Sequence, residues 1–300
     1  MHHRTRHRSL RVRLRHAVAA LLTGGLLLGA VGVTDATAAT AQQEYRRGPD
    51  PTLSSLQAAQ GPFSYAKVSV AAQTGFGGGT IYYPTDTSQG TFGAIAISPG
   101  LNENQSAVSW FGPKLASNGF VVFIINNLNT AADQPPARGR QLLAALDYLT
   151  GSSTVANRVD KNRLAVAGHS LGGGGALNAA AARPSLQAAI PLTPYVYDKS
   201  WTNVYVPTFV VGGETDNVAP VADHAEPIYQ TLTNAPERAY LEMNGRGHAV
   251  ANSYNTTIGQ YTLAWLKRYV DNDTRYEKFL CPPPAPNSVI AEYRSSCPGS

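Results

Sequence analysis

Only two of the 300 residues are cysteine, and both, Cys281 and Cys297, fall within the last twenty positions. No histidine or acidic cluster stands at ligand spacing around them, which argues against a thiol nucleophile and against a zinc site. Charge is sparse too: Asp, Glu, Lys and Arg make up 14% of the chain. A surface so lightly charged suits contact with an apolar, insoluble substrate. There is no internal repeat and no low-complexity linker after the N-terminal region, so a single domain is expected. The apolar run over residues 17–30 is too short to span a bilayer comfortably.

That run belongs to an export signal. Arg4, Arg6, Arg8, Arg11, Arg13 and Arg15 precede it, and Ala36-Thr37-Ala38 and Ala39-Thr40-Ala41 follow as small-x-small cleavage sites. The pattern predicts a secretory signal peptide over residues 1–38, cut after Ala38 or Ala41, and an extracellular catalytic domain over 39–300. An uncleaved anchor is the alternative. The arginines alternate rather than pair, which gives a twin-arginine route little support. The full chain carries 24 basic and 19 acidic residues, and the first 38 hold six Arg and one Asp, leaving 18 of each. The mature net charge is therefore zero, and the basic balance of the whole chain says nothing of nucleic acid. In an exported chain the two cysteines most simply pair, closing a loop of about 15 residues worth on the order of 3 kcal/mol and stapling the tail.

Periodicity gives a coarse map. Thr52 can cap a short helix through Ala59. Strands are expected over residues 67–73, 79–83, 92–98, 120–126, 164–167, 188–192, 207–211 and 238–243. Helical patterns alternate with them over 107–117, 139–148, 171 onward, 222–232 and 257–270. Such alternation predicts an α/β fold with a mostly parallel sheet wrapped by helices.

The chemistry starts at Gly168-His169-Ser170-Leu171-Gly172. It follows an apolar strand and precedes an alanine-rich helix, the setting of the nucleophile elbow of an α/β-hydrolase. Four of the seven histidines, His2, His3, His7 and His16, leave with the signal. Of the rest, His169 sits inside the elbow, where its side chain should point away from the attack face, and His224 starts a helix. His248 follows the strand over 238–243 in a glycine-rich loop, where this fold carries its general base. Strand 207–211 runs into Glu214-Thr215-Asp216; Asp216, deeper in the loop, is the expected acid and Glu214 the reserve. Backbone N–H groups of Leu171 and, after the strand over 92–98, Leu101 are the expected oxyanion donors.

Several blocks in order carry a specific resemblance: Ile97-Ser98-Pro99-Gly100, Asp133-Gln134-Pro135, Gly168 through Gly175, Ala189 through Pro194, Trp265-Leu266-Lys267-Arg268 and Glu292 through Pro298. From about Gly48 to Cys297 the chain resembles the actinobacterial cutinases, or polyester hydrolases, and related streptomycete lipases. The resemblance implies a Ser170–His248–Asp216 triad, Leu101 and Leu171 as oxyanion donors, substrate contacts from Leu101, Tyr195 and Val218, and a Cys281–Cys297 disulfide. It also marks departures. The family usually carries Tyr or Phe at Leu101, Met at Leu171 and Trp at Tyr195, so stacking on an aromatic diacid should weaken. Positions matching the family's calcium carboxylates read Glu214, Asn244 and Ala291; with one carboxylate of three, calcium is doubtful and no cofactor is expected. The segment between Leu192 and Pro207 is too short for a cap, so an uncovered cleft without a lid is expected. The activity implied is ester hydrolysis on cutin, aliphatic or aromatic polyester and short- to medium-chain esters, with triacylglycerol lipase the alternative. The expected partner is an insoluble polyester or lipid, met by a secreted monomer without a membrane anchor.

Overall fold

Uninterrupted apolar runs form the centre of one sheet, and half-polar runs form its edges. The computed structural model describes residues 44–297; the expected signal peptide and both cleavage sites lie outside the described residues. In chain order come α1 (Leu53–Gln57), β1 (Tyr65–Val70), β2 (Gly79–Pro84), β3 (Phe92–Ser98), α2 (Phe111–Ala116) and β4 (Phe120–Ile125). Then follow α3 (Pro135–Gly151), β5 (Val159–His169), α4 (Leu171–Ala182), β6 (Ala188–Leu192) and β7 (Thr208–Gly213). Last are α5 (Ala225–Thr231), β8 (Arg238–Met243), α6 (Thr256–Tyr269) and β9 (Ile290–Ser295).

The strand order is β1-β2-β4-β3-β5-β6-β7-β8-β9. From β4 to β8 all neighbours are parallel, while β1, β2 and β9 pair antiparallel at the two edges. Side chains alternate between two covered faces, as pleating requires. In β4, Phe120, Val122 and Ile124 join the core beneath α1, α2 and α6, whereas Val121, Phe123 and Ile125 join the core beneath α3, α4 and α5. The chain leaves β3 in one direction to build β4 and returns on the other side to build β5. That reversal opens a crevice at the carboxyl ends of β3 and β5, where open α/β sheets place their sites.

The element map differs from expectation in instructive places. The helix expected over 107–117 is split into a 3₁₀ turn (Gln105–Val108), capped by the Asn104 side chain, followed by α2. Helix α3 starts earlier than expected because Pro135 and Pro136 occupy its first turn, where a missing N–H costs nothing. Strand β5 runs through the polar Asp160-Lys161-Asn162 stretch, so polarity hid its first half. Strand β9 was not expected at all; Ile290 and Tyr293 bury one side of it against β8. Cys281 and Cys297 are joined, with Cα atoms 5.7 Å apart, at the end of that strand. No helix among the described residues is long and apolar enough to cross a membrane.

Candidate active site

Ser170 occupies the single residue between β5 and α4, at φ 56° and ψ −121°, a left-handed conformation that L-residues hold only under constraint. The constraint is close packing of backbone. A Cβ on Gly168 would lie 2.2 Å from the Gly172 carbonyl oxygen, and one on Gly172 would lie 2.3 Å from that of Ser98. Both glycines are therefore required by the turn. The β3–β5 register pairs Ser98 with Gly168, which brings the loop after β3 beside the elbow.

Three side chains from three loops form one chain of hydrogen bonds. His248 Nε2 lies 2.8 Å from Ser170 Oγ, and His248 Nδ1 lies 2.8 Å from Asp216 Oδ2. The second Asp216 oxygen accepts from the backbone N–H groups of Val218 (2.9 Å) and Ala219 (2.8 Å). Burial raises the Asp216 pKa, but bonds from His248, Ala219 and Val218 outweigh it and hold the carboxyl below its ordinary value. An ionised Asp216 accepts from Nδ1–H, which leaves the Nε2 lone pair for the Ser170 hydroxyl. The reserve acid, Glu214, is turned elsewhere: its carboxylate accepts from the Gly245 N–H at 2.7 Å.

The two expected oxyanion donors flank Ser170. Leu171 opens α4, so its N–H has no intrahelical partner. Leu101 lies in the loop after β3, and that loop is held by Arg138, which is fully buried at the start of α3. Arg138 Nη1 donates to the carbonyls of Pro99 (2.9 Å) and Gly100 (3.0 Å), Nε to Asp133 (2.8 Å) and Nη2 to Thr130 (2.9 Å). Burial lowers the Arg138 pKa to about 10, against attraction from Asp133 and Glu103, so the guanidinium stays charged at neutral pH.

A sequence model described as PET hydrolase-like matches residues 39–298 of this chain. The chain belongs to the PET hydrolase-like family. It is 58% identical over 293 residues to a bis(hydroxyethyl) terephthalate hydrolase of Streptomyces coelicolor, covering 97% of this chain and 93% of that protein. It is 52% identical to the cutinase est1 of Thermobifida alba, over 88% of this chain and 90% of that one. Against the cutinase cut1 of Thermobifida fusca the identity is 51%, over 89% and 84%.

Within this PET hydrolase-like chain the cleft holds about 470 Å³, and Leu101, Leu171, Tyr195 and Val218 all line it beside Ser170 and His248. Leu101 and Val218 are about half exposed, so their side chains form its rim. The segment from β6 to β7 carries no helix and no cap. Other wall residues went unanticipated, Tyr197 and Gln134 among them. Tyr197, 64% exposed, meets the Tyr195 ring edge-on at 5.6 Å, and its hydroxyl bonds Gln134 Oε1 at 3.0 Å. Its place two residues after Tyr195 was the signal available. Neither remaining histidine serves as a second base. His224 Nδ1 accepts from the Val196 N–H at 3.1 Å, its ring packs on Tyr195, and burial lowers its pKa. His169 is buried beside the cleft, and its two ring nitrogens bond Glu103 and the His248 backbone.

The three positions that the resemblance matches to calcium carboxylates carry other contacts or none. Glu214 is engaged with Gly245, the Asn244 amide donates to the Asn287 carbonyl at 3.1 Å, and Ala291 offers no side-chain oxygen. Among the described residues no group of three or more His, Cys, Asp or Glu side chains could hold a metal ion.

Proposed function

We propose that this protein is a secreted, monomeric serine hydrolase that cleaves the carboxylic ester bonds of polyesters through an acyl-enzyme, without a cofactor. The observation that carries this reading is the unbroken Ser170–His248–Asp216 chain, 2.8 Å at each link, opening into an uncovered, largely apolar cleft. The names of the relatives, cutinases and a bis(hydroxyethyl) terephthalate hydrolase, support polyester over triacylglycerol.

The proposed steps follow the hydrogen-bond chain. Ser170 Oγ attacks the ester carbonyl while its proton passes to His248 Nε2, and Asp216 stabilises the resulting imidazolium. The carbonyl oxygen gains the negative charge and accepts from the N–H groups of Leu101 and Leu171. The tetrahedral centre then collapses: the C–O bond to the alcohol breaks and His248 returns its proton to that oxygen. Water repeats the sequence on the acyl-enzyme and releases the acid. Leu101, Tyr195 and Val218 contact the acyl portion through the cleft wall, and Tyr197 adds an aromatic edge.

The test is monomer release from a polyester film by the mature protein, compared with fatty-acid release from emulsified long-chain triacylglycerol. Faster turnover of the film supports the reading; preference for the long-chain glyceride contradicts it. Chelation of divalent cations should leave both activity and melting temperature unchanged.

A further inference from the structure

The triad does not use Glu103, yet its carboxylate touches the loop after β3, the elbow and the turn that carries His248. Oε2 accepts from the Gly100 N–H at 2.6 Å and from His169 Nδ1 at 2.9 Å, and Oε1 accepts from the Asn252 amide. Gly100 belongs to the oxyanion loop. His169 belongs to the elbow. Asn252 caps the 3₁₀ turn (His248–Ala251) that carries the general base. His169 Nε2 in turn lies 3.0 Å from the His248 carbonyl oxygen, which the Thr193 hydroxyl also reaches at 2.9 Å. Both His169 nitrogens face oxygen atoms, so the ring bridges Glu103 and the backbone of His248. The cluster is closely packed: the His169 side chain is 2% exposed and that of Glu103 21%.

Peptide planarity turns this clasp into a device for aiming the Leu101 N–H. The Gly100 carbonyl accepts from Arg138 and from the Glu103 N–H at 3.3 Å. Across a planar trans peptide the Leu101 N–H points opposite that carbonyl. Holding Gly100 at both its N–H and its C=O therefore fixes the direction of the next N–H. We infer that Glu103 is a positioning residue that locks the Leu101 oxyanion donor in register with His248, through Gly100 on one side and His169 and Asn252 on the other. This inference rests on the ester-hydrolase reading above. It gives Glu103 a transition-state role, because the donor it aims works hardest on the tetrahedral oxyanion.

The experiment compares wild type with Glu103→Ala, Glu103→Gln and Asn252→Ala. Active sites are counted by fluorophosphonate labelling, and kcat and KM are measured per labelled site on p-nitrophenyl butyrate. Inhibition by a boronic acid, whose tetrahedral adduct places an oxygen in the oxyanion hole, is measured alongside. Removing one oxyanion donor costs about 10²–10³-fold in kcat, so misaiming one should cost about 10–100-fold. Glu103→Ala is expected to lose kcat by that factor and weaken boronate binding similarly, with KM within about twofold. Glu103→Gln keeps an oxygen for the Gly100 N–H and is expected to recover most of kcat. Asn252→Ala removes one bond of the clasp and should cost about threefold to tenfold in kcat. Unchanged kcat per labelled site in Glu103→Ala overturns the inference, as does a KM rise at constant kcat. Should Glu103→Ala not fold, unchanged kcat and boronate affinity in Asn252→Ala overturn it equally. Failure of the wild type itself to label and turn over would instead overturn the ester-hydrolase reading.

Discussion

Replacing Asp216 by Asn is nearly isosteric, and the structure dictates which way the amide must face. In the wild type one carboxylate oxygen accepts from the N–H groups of Val218 and Ala219, and the other accepts from His248 Nδ1. An Asn oxygen turned toward His248 would set its NH₂ against two backbone donors, each left unsatisfied at about 1–3 kcal/mol. The oxygen therefore stays with Val218 and Ala219, and the NH₂ faces Nδ1. His248 must then accept at Nδ1 and carry its proton on Nε2, so it can no longer take the Ser170 proton. Tautomer reversal in a Ser-His-Asp arrangement costs about 10⁴-fold in kcat, about 5.5 kcal/mol at the transition state. The side chain keeps its shape and its loop bonds, so folding should be little changed. Turnover of p-nitrophenyl butyrate by Asp216→Asn, with the melting temperature taken in parallel, reads both quantities. A loss of less than tenfold with an intact fold would refute the reasoning.

Three further outcomes follow from named contacts. Burial opposes ionisation of Glu103, yet bonds and attraction from His169, Gly100 and Asn252 hold its carboxyl at about 2 instead of 4.5. Because the folded value is depressed, that stabilisation is complete above about pH 4.5 and is lost as pH falls toward about 2. Thermal melts across this window should show the wild type losing its advantage over Glu103→Gln as pH drops; a constant difference would contradict it. Leu101→Phe leaves the backbone donor in place and adds an aromatic face at the rim, so aromatic polyester release should rise relative to aliphatic release. Equal change on both films would exclude a stacking role. Removing the disulfide with Cys281→Ser and Cys297→Ser should lower stability by about 3 kcal/mol, read by urea melts, while kcat on a soluble ester is unchanged. Lost kcat in the folded double variant would place the tail in the site.

Legibility in the sequence followed the range of the interactions involved. Ser170 was readable because strand, turn and helix are contiguous around it, and the glycines that the turn demands lie two residues to either side. His248 emerged by elimination, and Asp216 by its position at a strand end, since this fold strings its triad along successive loops. Strand β9 was hidden because only Ile290 and Tyr293 of it are buried and its partner, β8, lies far back in the chain. Arg138 and Glu103 were illegible for the same reason: their partners, Pro99 and His169, lie 39 and 66 residues away, with no local periodicity to join them. The cleft wall was read through its departures from the family, but Tyr197 was passed over because an exposed tyrosine in a loop carries no pattern of its own.

The central claim is that Ser170 is the nucleophile of an ester hydrolase. Treating the mature protein with diethyl p-nitrophenyl phosphate and following p-nitrophenolate release, residual activity and the modified peptide tests it most directly. The account predicts one equivalent released, activity lost in step, and the added phosphoryl group on Ser170 alone. Activity that survives full modification of Ser170, or inactivation with the label on another residue, would contradict it.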